Sequence, residues 1–390
     1  MQPTTFWYEM IANPEFQTSK TVTWMDKSSI ATRIKHNIGA IAESKLEPYL
    51  NWAKDNPVHS SDNQAFFHNT VRNFHDRFEE FEVGVTHYKI VQNEEYVHPI
   101  EVFFLIPKAT IAKKPAECKA NVKWHGGGLF LELAKDTNTI IIAPNYRLLP
   151  EADGYDIRRD VQDFWKWFRD ADFGTLLKDK LPKETEISKK DVLLTGESAG
   201  GGLAFYSWIE CNAPIKVMYL QYPLLNNDYV RPQVPYMRLN LKEEDIEKAK
   251  EKLRKELNQH RANLPPRSCA SPPDCMATAM MLARTRHLKE VFKKPYTFIC
   301  ADLKEKPANS PEKIILIHGK NDNIVPLKMS EDLVHQLEEE LHWYSKDKKD
   351  IEFIKVPNVS HGFDYNVHSN GDDLGISEIG EAQNKIKTFW

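Results

Sequence analysis

The sequence predicts an α/β fold with a mostly parallel sheet that helices cover on both faces. From residue 81 onward, short apolar runs alternate with amphipathic segments of helical periodicity. Most of these runs are rich in Val and Ile and have no polar face, which is typical of parallel strands buried on both sides. The predicted strands are FEVGVTHYKIVQ, IEVFFLIPK, ANVKWH, TIIIAPNY, DVLLTGES, IKVMYLQYP, KIILIHG and IEFIKVPN.

The first two predicted strands differ from the rest, because apolar and polar residues alternate along them and the polar turn NEEYVHP joins them. Between later strands lie helices such as DIRRDVQDFWKWF, whose apolar residues recur at helical spacing. One face of this helix carries Ile157, Val161, Phe164, Trp165 and Phe168. We expect that face to be buried.

One long insertion interrupts the predicted main domain, which comprises residues 79–227 and 299–390. The insertion, residues 228–298, lies between the strands IKVMYLQYP and KIILIHG. Its first half, LKEEDIEKAKEKLRKELNQ, has the pattern of an amphipathic helix, and residues 1–78 are also mostly helical by their spacing. Long insertions in compact folds are often functional, so we expect residues 228–298 to form a cap.

Composition and charge limit the classes of partner. The chain of 390 residues has 52 Lys and Arg against 56 Asp and Glu, so no broad attraction to nucleic acid or acidic membranes is expected. No stretch approaches the roughly 18 apolar residues of a membrane span, and the N-terminus lacks a secretory pattern. We expect a cytoplasmic protein with reduced thiols and no bound metal, because the cysteines lack ligand spacing. They are Cys118, Cys211, Cys269, Cys275 and Cys300.

A candidate nucleophile lies in Gly196-Glu197-Ser198-Ala199-Gly200. The pattern GxSxG is common by chance, but here it separates an apolar strand from a helix rich in small residues. A sharp turn would raise Ser198 above the sheet, and the flanking glycines would let neighbouring backbone approach. We predict that Ser198 is a nucleophile; the alternative is a glycine-rich turn without chemistry.

A serine hydroxyl needs a base, and the base needs an acid that orients it. Asp322 follows the strand KIILIHG, and His361 follows the strand IEFIKVPN. Either residue alone has an ordinary structural explanation. Their shared position just past strand ends, in the order Ser, Asp, His, favours a triad of Ser198, Asp322 and His361.

The glycines of KWHGGG also follow a predicted strand. Acyl transfer passes through a tetrahedral oxyanion, which rigid backbone N–H groups stabilise. We predict that Gly126, Gly127 and Gly128, together with the N–H of Ala199, form this oxyanion hole. A phosphate-binding loop is the alternative, but the sequence has neither GxxxxGK[ST] nor a GxGxxG followed by an acidic residue at the required distance.

Five motifs in order resemble the hormone-sensitive-lipase-type branch of the α/β-hydrolases, particularly its fungal α/β-hydrolase-3 members: KWHGGG, NYRLLPEA, TGESAGG, HGKNDNIVP and SHGF. The resemblance covers about residues 80–390. It implies an α/β-hydrolase fold with an eight-stranded sheet, and a helical cap drawn from the N-terminal segment and the insertion. It also implies esterase activity on small or medium acyl esters without a cofactor.

The resemblance further implies a role for each matching residue. Ser198 is the nucleophile, His361 is general base and then acid, and Asp322 orients His361. Gly127, Gly128 and Ala199 are oxyanion donors, and Gly126 shapes the loop. The acid here lies in a DxxVP segment, whereas many members of the branch carry it in DPxxD.

The connection behind KWHGGG is short. The strands ANVKWH and TIIIAPNY are parallel in this fold, and a parallel crossover takes a dozen or more residues, whereas residues 129–138 supply ten. Three explanations are open: a turn and a half of helix in LFLELAKD, a natively truncated crossover, or a loss of residues from this stretch. We favour the third, which predicts an intact mass above that of these 390 residues.

The leading functional prediction is a serine carboxylester hydrolase whose partner is a small-molecule ester. A lactonase, acyltransferase or cyclase with the same site is the first alternative. A ligand receptor on a hydrolase fold is the second, and an intact triad argues against it. The sequence determines neither the acyl nor the alcohol part of the substrate, nor the oligomeric state, for which a homodimer is one option.

Overall fold

The structure is a computed structural model, and it describes only part of the chain. The described residues are 21–25, 79–92, 97–124, 129–149, 152–182, 184–225, 268, 306–322, 324–345, 350–364 and 376–390. Nearly all of the predicted N-terminal segment and the predicted insertion lie outside them, as do residues 125–128 of the KWHGGG motif. The predicted domain boundaries therefore remain predictions.

Strands in the described residues are β1 (Thr23–Trp24), β2 (Phe81–Gln92), β3 (Val97–Pro107), β4 (Glu117–Cys118), β5 (Ala120–Trp124), β6 (Ile140–Pro144), β7 (Glu186–Ile187), β8 (Val192–Glu197), β9 (Ile215–Gln221), β10 (Lys313–Gly319) and β11 (Ile351–Val356). Helices are α1 (Lys108–Lys113), α2 (Leu129–Thr137), α3 (Gly154–Asp170), α4 (Phe173–Leu176), α5 (Ser198–Cys211), α6 (Leu327–His335), which continues as a π-helical turn (Gln336–Glu340), and α7 (Ser377–Phe389).

The main sheet has nine strands in the order β1-β2-β3-β6-β5-β8-β9-β10-β11. Six neighbouring strands of this order, β6-β5-β8-β9-β10-β11, pair in parallel. The pairs β1-β2, β2-β3 and β3-β6 are antiparallel. All eight predicted runs are strands, which confirms the mostly parallel sheet. The ninth strand, β1, lies in the N-terminal segment for which mostly helical structure is expected, and it pairs with β2 at the edge.

Helices cover both faces of the sheet. On one face, α3, α5 and α6 pack on strand residues such as Leu194. On the other face, α2 and α7 pack on residues such as Leu193. Adjacent strand residues thus face opposite helical layers, so the parallel strands have no polar face. The predicted apolar face of α3 is buried in full.

The described part of the short crossover contains a helix. Helix α2 occupies nine of the eleven residues between KWHGGG and β6, and β5 and β6 pair in parallel, with Val122 opposite Ile142. A nine-residue helix is about 14 Å long, close to the roughly 17 Å of a five-residue strand. The expectation that ten residues are too few was wrong. Strands β5 and β6 have only five residues each, so a helix as short as α2 spans the distance from the end of β5 back to the start of β6. The steric reason to infer lost residues is thereby removed.

Two further observations bear on the sequence predictions. Among the helices that the structure describes, none has both the length and the apolar character that crossing a bilayer requires. Cys118 and Cys211 are buried free thiols. The other three cysteines lie outside the described residues.

Candidate active site

Ser198 stands at the turn from β8 into α5. Its φ angle of 51° is in the left-handed region, which non-glycine residues rarely adopt. The turn is tight enough to exclude a side chain at Gly196, where an added Cβ would lie 2.3 Å from the carbonyl oxygen of Gly200. The strand-turn-helix context predicted for the GxSxG pattern is therefore present, and Ser198 remains partly exposed.

His361 lies in the loop after β11 and contacts both other residues of the predicted triad. Its Nε2 atom is 3.0 Å from Ser198 Oγ, and its Nδ1 atom is 2.8 Å from Asp322 Oδ2. A neutral imidazole with its proton on Nδ1 would donate to the carboxylate and accept from the serine hydroxyl. The structure therefore brings together the three side chains that the sequence selected.

Asp322 is held by its own loop after β10. The backbone N–H groups of Ile324 and Val325 each donate to Oδ1 at 2.8 Å, and the side chain is fully buried. Burial alone would raise the pKa of Asp322, but hydrogen bonds from His318 and His361 hold that pKa well below its usual range. The group is thus a carboxylate at neutral pH, with Oδ1 fixed by backbone and Oδ2 facing His361 and, at a longer distance, His318.

His318 is a contact of the triad that the sequence reasoning did not select. Its Nε2 atom lies 2.9 Å from the Val325 carbonyl oxygen and 3.4 Å from Asp322 Oδ2. Its Nδ1 atom lies 2.8 Å from Ser330 Oγ, so the buried imidazole ties the Asp322 loop to the start of α6. The available signal was its place near the end of the strand KIILIHG, four residues before Asp322.

A second buried carboxylate lies close to His361. Asp364, three residues further on, is fully buried and accepts hydrogen bonds from the Tyr222 hydroxyl and from Gln221 Nε2. Burial and the neighbouring Glu197 carboxylate raise the pKa of Asp364. The sequence reasoning missed this residue as well, although an aspartate in the apolar stretch GFDY is itself a signal of a buried polar contact.

Lys123, the first residue of KWHGGG, belongs to the same buried group. Its Nζ atom lies 3.5 Å from the centre of the Phe130 ring. Burial lowers the pKa of Lys123 to about 7, although the carboxylates of Glu197 and Asp364 favour its charged form. A buried base and two buried acids, Lys123, Glu197 and Asp364, therefore lie within electrostatic reach of one another.

The predicted oxyanion hole is described only in part. Gly126, Gly127 and Gly128 lie outside the described residues, whereas Ala199 is the second residue of α5. No described side chain caps the N-terminus of α5. The first N–H groups of a helix have no intrahelical partner and favour a negative charge. The end of α5 beside Ser198 can therefore stabilise an anion.

Comparisons with known proteins agree with this fold. The family model of the alpha/beta hydrolase fold matches residues 118–286, which include Ser198 but end before Asp322. Probable carboxylesterase M8 of Phoma sp. is 26% identical over 260 residues, which are 62% of this chain and 79% of that protein. Probable carboxylesterase clz11 of Cochliobolus lunatus is 26% identical over 193 residues, which are 48% of this chain and 87% of that protein.

Solved structures with a similar chain course include two prokaryotic proteins. An esterase of Pyrobaculum calidifontis is 18% identical at a TM-score of 0.45, covering 78% of this chain and 83% of its own. An alpha/beta hydrolase superfamily protein of Enterococcus faecalis is 14% identical at a TM-score of 0.48, covering 74% of this chain and 94% of its own. The assignment does not depend on them. The matching family model and the observed strand order show that the chain has an α/β-hydrolase fold, as the five sequence motifs predicted.

Proposed function

We propose that this chain is a serine carboxylester hydrolase that acts on small or medium acyl esters through an acyl-enzyme. The observation that carries the proposal is the hydrogen-bonded series Ser198–His361–Asp322. Both fungal relatives bear the name probable carboxylesterase, which agrees with ester hydrolysis.

In the proposed reaction, Ser198 Oγ attacks the ester carbonyl carbon while His361 Nε2 takes the hydroxyl proton. The carboxylate of Asp322 stabilises the imidazolium that forms. The N–H groups of Ala199, Gly127 and Gly128 would donate to the oxyanion. His361 then gives its proton to the departing alkoxide, and the acyl group stays on Ser198.

The second half of the reaction repeats these roles with water. His361 Nε2 takes a proton from a water molecule, which attacks the carbonyl carbon of the acyl-enzyme. Collapse of the second tetrahedral intermediate returns the proton to Ser198 Oγ and releases the carboxylic acid. His361 passes on each proton that it takes, so ester and water are the only reactants, and Asp322 remains a carboxylate throughout.

A serine-directed probe tests the proposal. A fluorophosphonate should label the unmodified protein at Ser198, and Ser198→Ala should abolish labelling and lower the kcat for p-nitrophenyl butyrate by at least about a thousandfold. Ser207→Ala is the matched control, since Ser207 lies in the same helix and, among the described residues, its hydroxyl bonds to the Leu203 carbonyl of that helix at 2.8 Å. Full turnover by Ser198→Ala would refute the mechanism.

A panel of p-nitrophenyl esters of graded acyl length tests the substrate class. We expect the highest kcat/KM among short and medium chains. Tight binding of such esters by the unmodified protein without turnover would contradict the proposal and favour the receptor alternative. Hydrolysis of lactones alone, with no turnover of open esters, would contradict the proposed substrate class and favour a lactonase.

A further inference from the structure

The ring of Tyr222, the residue that follows β9, packs against the imidazole of His361. The two ring centres are 4.5 Å apart, with 58° between the ring planes. The same ring contacts the imidazole of His318 edge-on, at 6.4 Å and 76°. One aromatic side chain thus touches both imidazoles that flank Asp322.

Tyr222 is itself fixed in place. It is fully buried, its φ angle of 35° is positive, and its N–H donates to the Ile317 carbonyl at 2.8 Å. Its hydroxyl donates to Asp364 Oδ1, while Gln221 Nε2 donates to the other oxygen of Asp364 at 2.6 Å. Backbone and side-chain bonds therefore both determine where the ring lies.

The same short segment also contacts the nucleophile. The N–H of Leu224 donates to the backbone carbonyl of Ser198 at 2.8 Å. Pro223 lies so close to α5 that a Cβ added at Gly201 would be 2.7 Å from Pro223 Cβ. In this segment, Leu224 therefore bonds to the turn of Ser198, and the ring of Tyr222 packs against the imidazole of His361.

We infer that Tyr222 is a positioning residue that aligns His361 with Ser198, and that Asp364 fixes Tyr222 through its hydroxyl. This inference rests on the proposed hydrolase function. His361 Nε2 must stay at hydrogen-bond distance from Ser198 Oγ while Nδ1 stays on Asp322, and the Tyr222 ring packs against the imidazole, with ring centres 4.5 Å apart. A ring held by Asp364 prevents tilting of the imidazole away from Ser198.

Tyr222→Phe tests the inference because it keeps the ring and removes the hydroxyl that donates to Asp364. A misplacement on the order of 1 Å can cost about a hundredfold in rate, so we expect a partial release of the ring to lower kcat for p-nitrophenyl butyrate by about tenfold. KM should not change, since Tyr222 touches His361 and not the ester. The far-downfield proton resonance of His361 Nδ1–H should broaden.

Tyr344→Phe is the matched control. Tyr344 is also buried, and its hydroxyl donates to the Pro311 carbonyl at 2.9 Å, near the N-terminal end of β10 and therefore at the opposite edge of the sheet. Both variants lose a buried tyrosine hydroxyl. The Tyr344 variant should lose stability without losing kcat, so an equal loss of kcat in the two variants would overturn the inference.

Two replacements of Asp364 complete the test. Asp364→Asn keeps an oxygen that accepts from Tyr222, and Gln221 can turn its amide so that Oε1, which makes no hydrogen bond within the described residues, accepts from the new NH₂. We expect Asp364→Asn to keep kcat within about twofold and Asp364→Leu to lose about tenfold, like Tyr222→Phe. The double variant Tyr222→Phe/Asp364→Leu removes the tyrosine hydroxyl and the carboxyl group together, so neither is left buried without the other. It replaces the single variants in the kcat measurement if they fold poorly.

The outcomes separate this inference from the proposed function. An unmodified protein that neither reacts with the fluorophosphonate nor hydrolyses esters would overturn both. An active unmodified protein with equally active Tyr222→Phe, or with Asp364→Leu as active as Asp364→Asn, would overturn the positioning role alone.

Discussion

His361 Nε2 lies 3.0 Å from Ser198 Oγ, although the two residues are 163 positions apart in the chain. The strands that precede them, β8 and β11, are not neighbours, since β9 and β10 lie between them. Three strand spacings amount to roughly 14 Å, so the His361 loop must reach back across the edge of the sheet. Asp322 and Tyr222, which follow the two intervening strands, contact the imidazole on the way.

Asp322→Asn should lower kcat by about a thousandfold to ten-thousandfold and change KM little. The new amide oxygen can still accept from the Ile324 and Val325 N–H groups, so the loop should keep its shape. The NH₂ group then faces His361 and donates to Nδ1, which leaves the proton on Nε2. A histidine in that tautomer cannot accept the Ser198 proton.

Steady-state kinetics with p-nitrophenyl butyrate and thermal unfolding check this prediction together. The unfolding midpoint should change little, so that the loss of kcat cannot be attributed to unfolding of the variant. Retention of more than about a tenth of the kcat would show that Asp322 is not the acid that orients His361.

His318→Leu should destabilise the protein and reduce activity moderately. Its removal leaves the Val325 carbonyl and the Ser330 hydroxyl without this buried partner, which costs about 1–3 kcal/mol of unfolding free energy. Asp322 also loses one of the two histidines that hold its pKa low. Denaturant unfolding and kcat measurements check both effects.

Ser330→Ala is the control for that variant, because it removes only the bond to His318 Nδ1, on the far side of the ring from Asp322. We expect it to keep the kcat of the unmodified protein. If His318→Leu also kept full kcat, His318 would stabilise the fold without supporting the site.

Gly196→Ala should damage the turn of Ser198 directly. The added methyl group would lie 2.3 Å from the Gly200 carbonyl oxygen and 2.9 Å from the Gly201 nitrogen. These atoms are backbone of α5, so relief requires movement of the helix start, at a cost of about 1–3 kcal/mol or more. Thermal unfolding and fluorophosphonate labelling should both show the loss, and normal labelling would contradict the predicted strain on Ser198.

Asp364→Asn should change how stability depends on pH. Folding raises the pKa of Asp364 to about 7, through burial first and the Glu197 carboxylate second, from about 3.9 in an unfolded chain. The folded state therefore binds the Asp364 proton more tightly than the unfolded chain does. Protonation of Asp364 stabilises the fold below about pH 4, and this stabilisation is lost as pH rises from about 4 to about 7. An asparagine has no proton to lose, so the variant lacks that decline.

Thermal unfolding at about pH 5 and about pH 8 checks the sign. The midpoint of Asp364→Asn relative to the unmodified protein should rise between the two values. A difference that stays constant, or that falls, would show that Asp364 does not carry its proton in the folded state near neutral pH.

Local patterns in the sequence determined the strands, the helical layers and the candidate triad. Apolar runs without a polar face predicted the buried parallel strands, and parallel strands place their C-terminal ends at one edge. Three residues just past such ends, Ser198, Asp322 and His361, were therefore expected together. Periodicity and strand ends are properties of a few consecutive residues, so they can be read without coordinates.

Tertiary packing decided the remaining features. Helix α2 completes a crossover for which ten residues had looked too few, because β5 and β6 are short. His318, Tyr222 and Asp364 join the site through contacts whose partners no local pattern identifies: the Tyr222 hydroxyl meets an Asp364 oxygen 142 positions away. Such contacts depend on how four strands and their loops pack at one edge. The sequence by itself thus determined which residues are available for chemistry, whereas the fold decided which neighbours hold them in position.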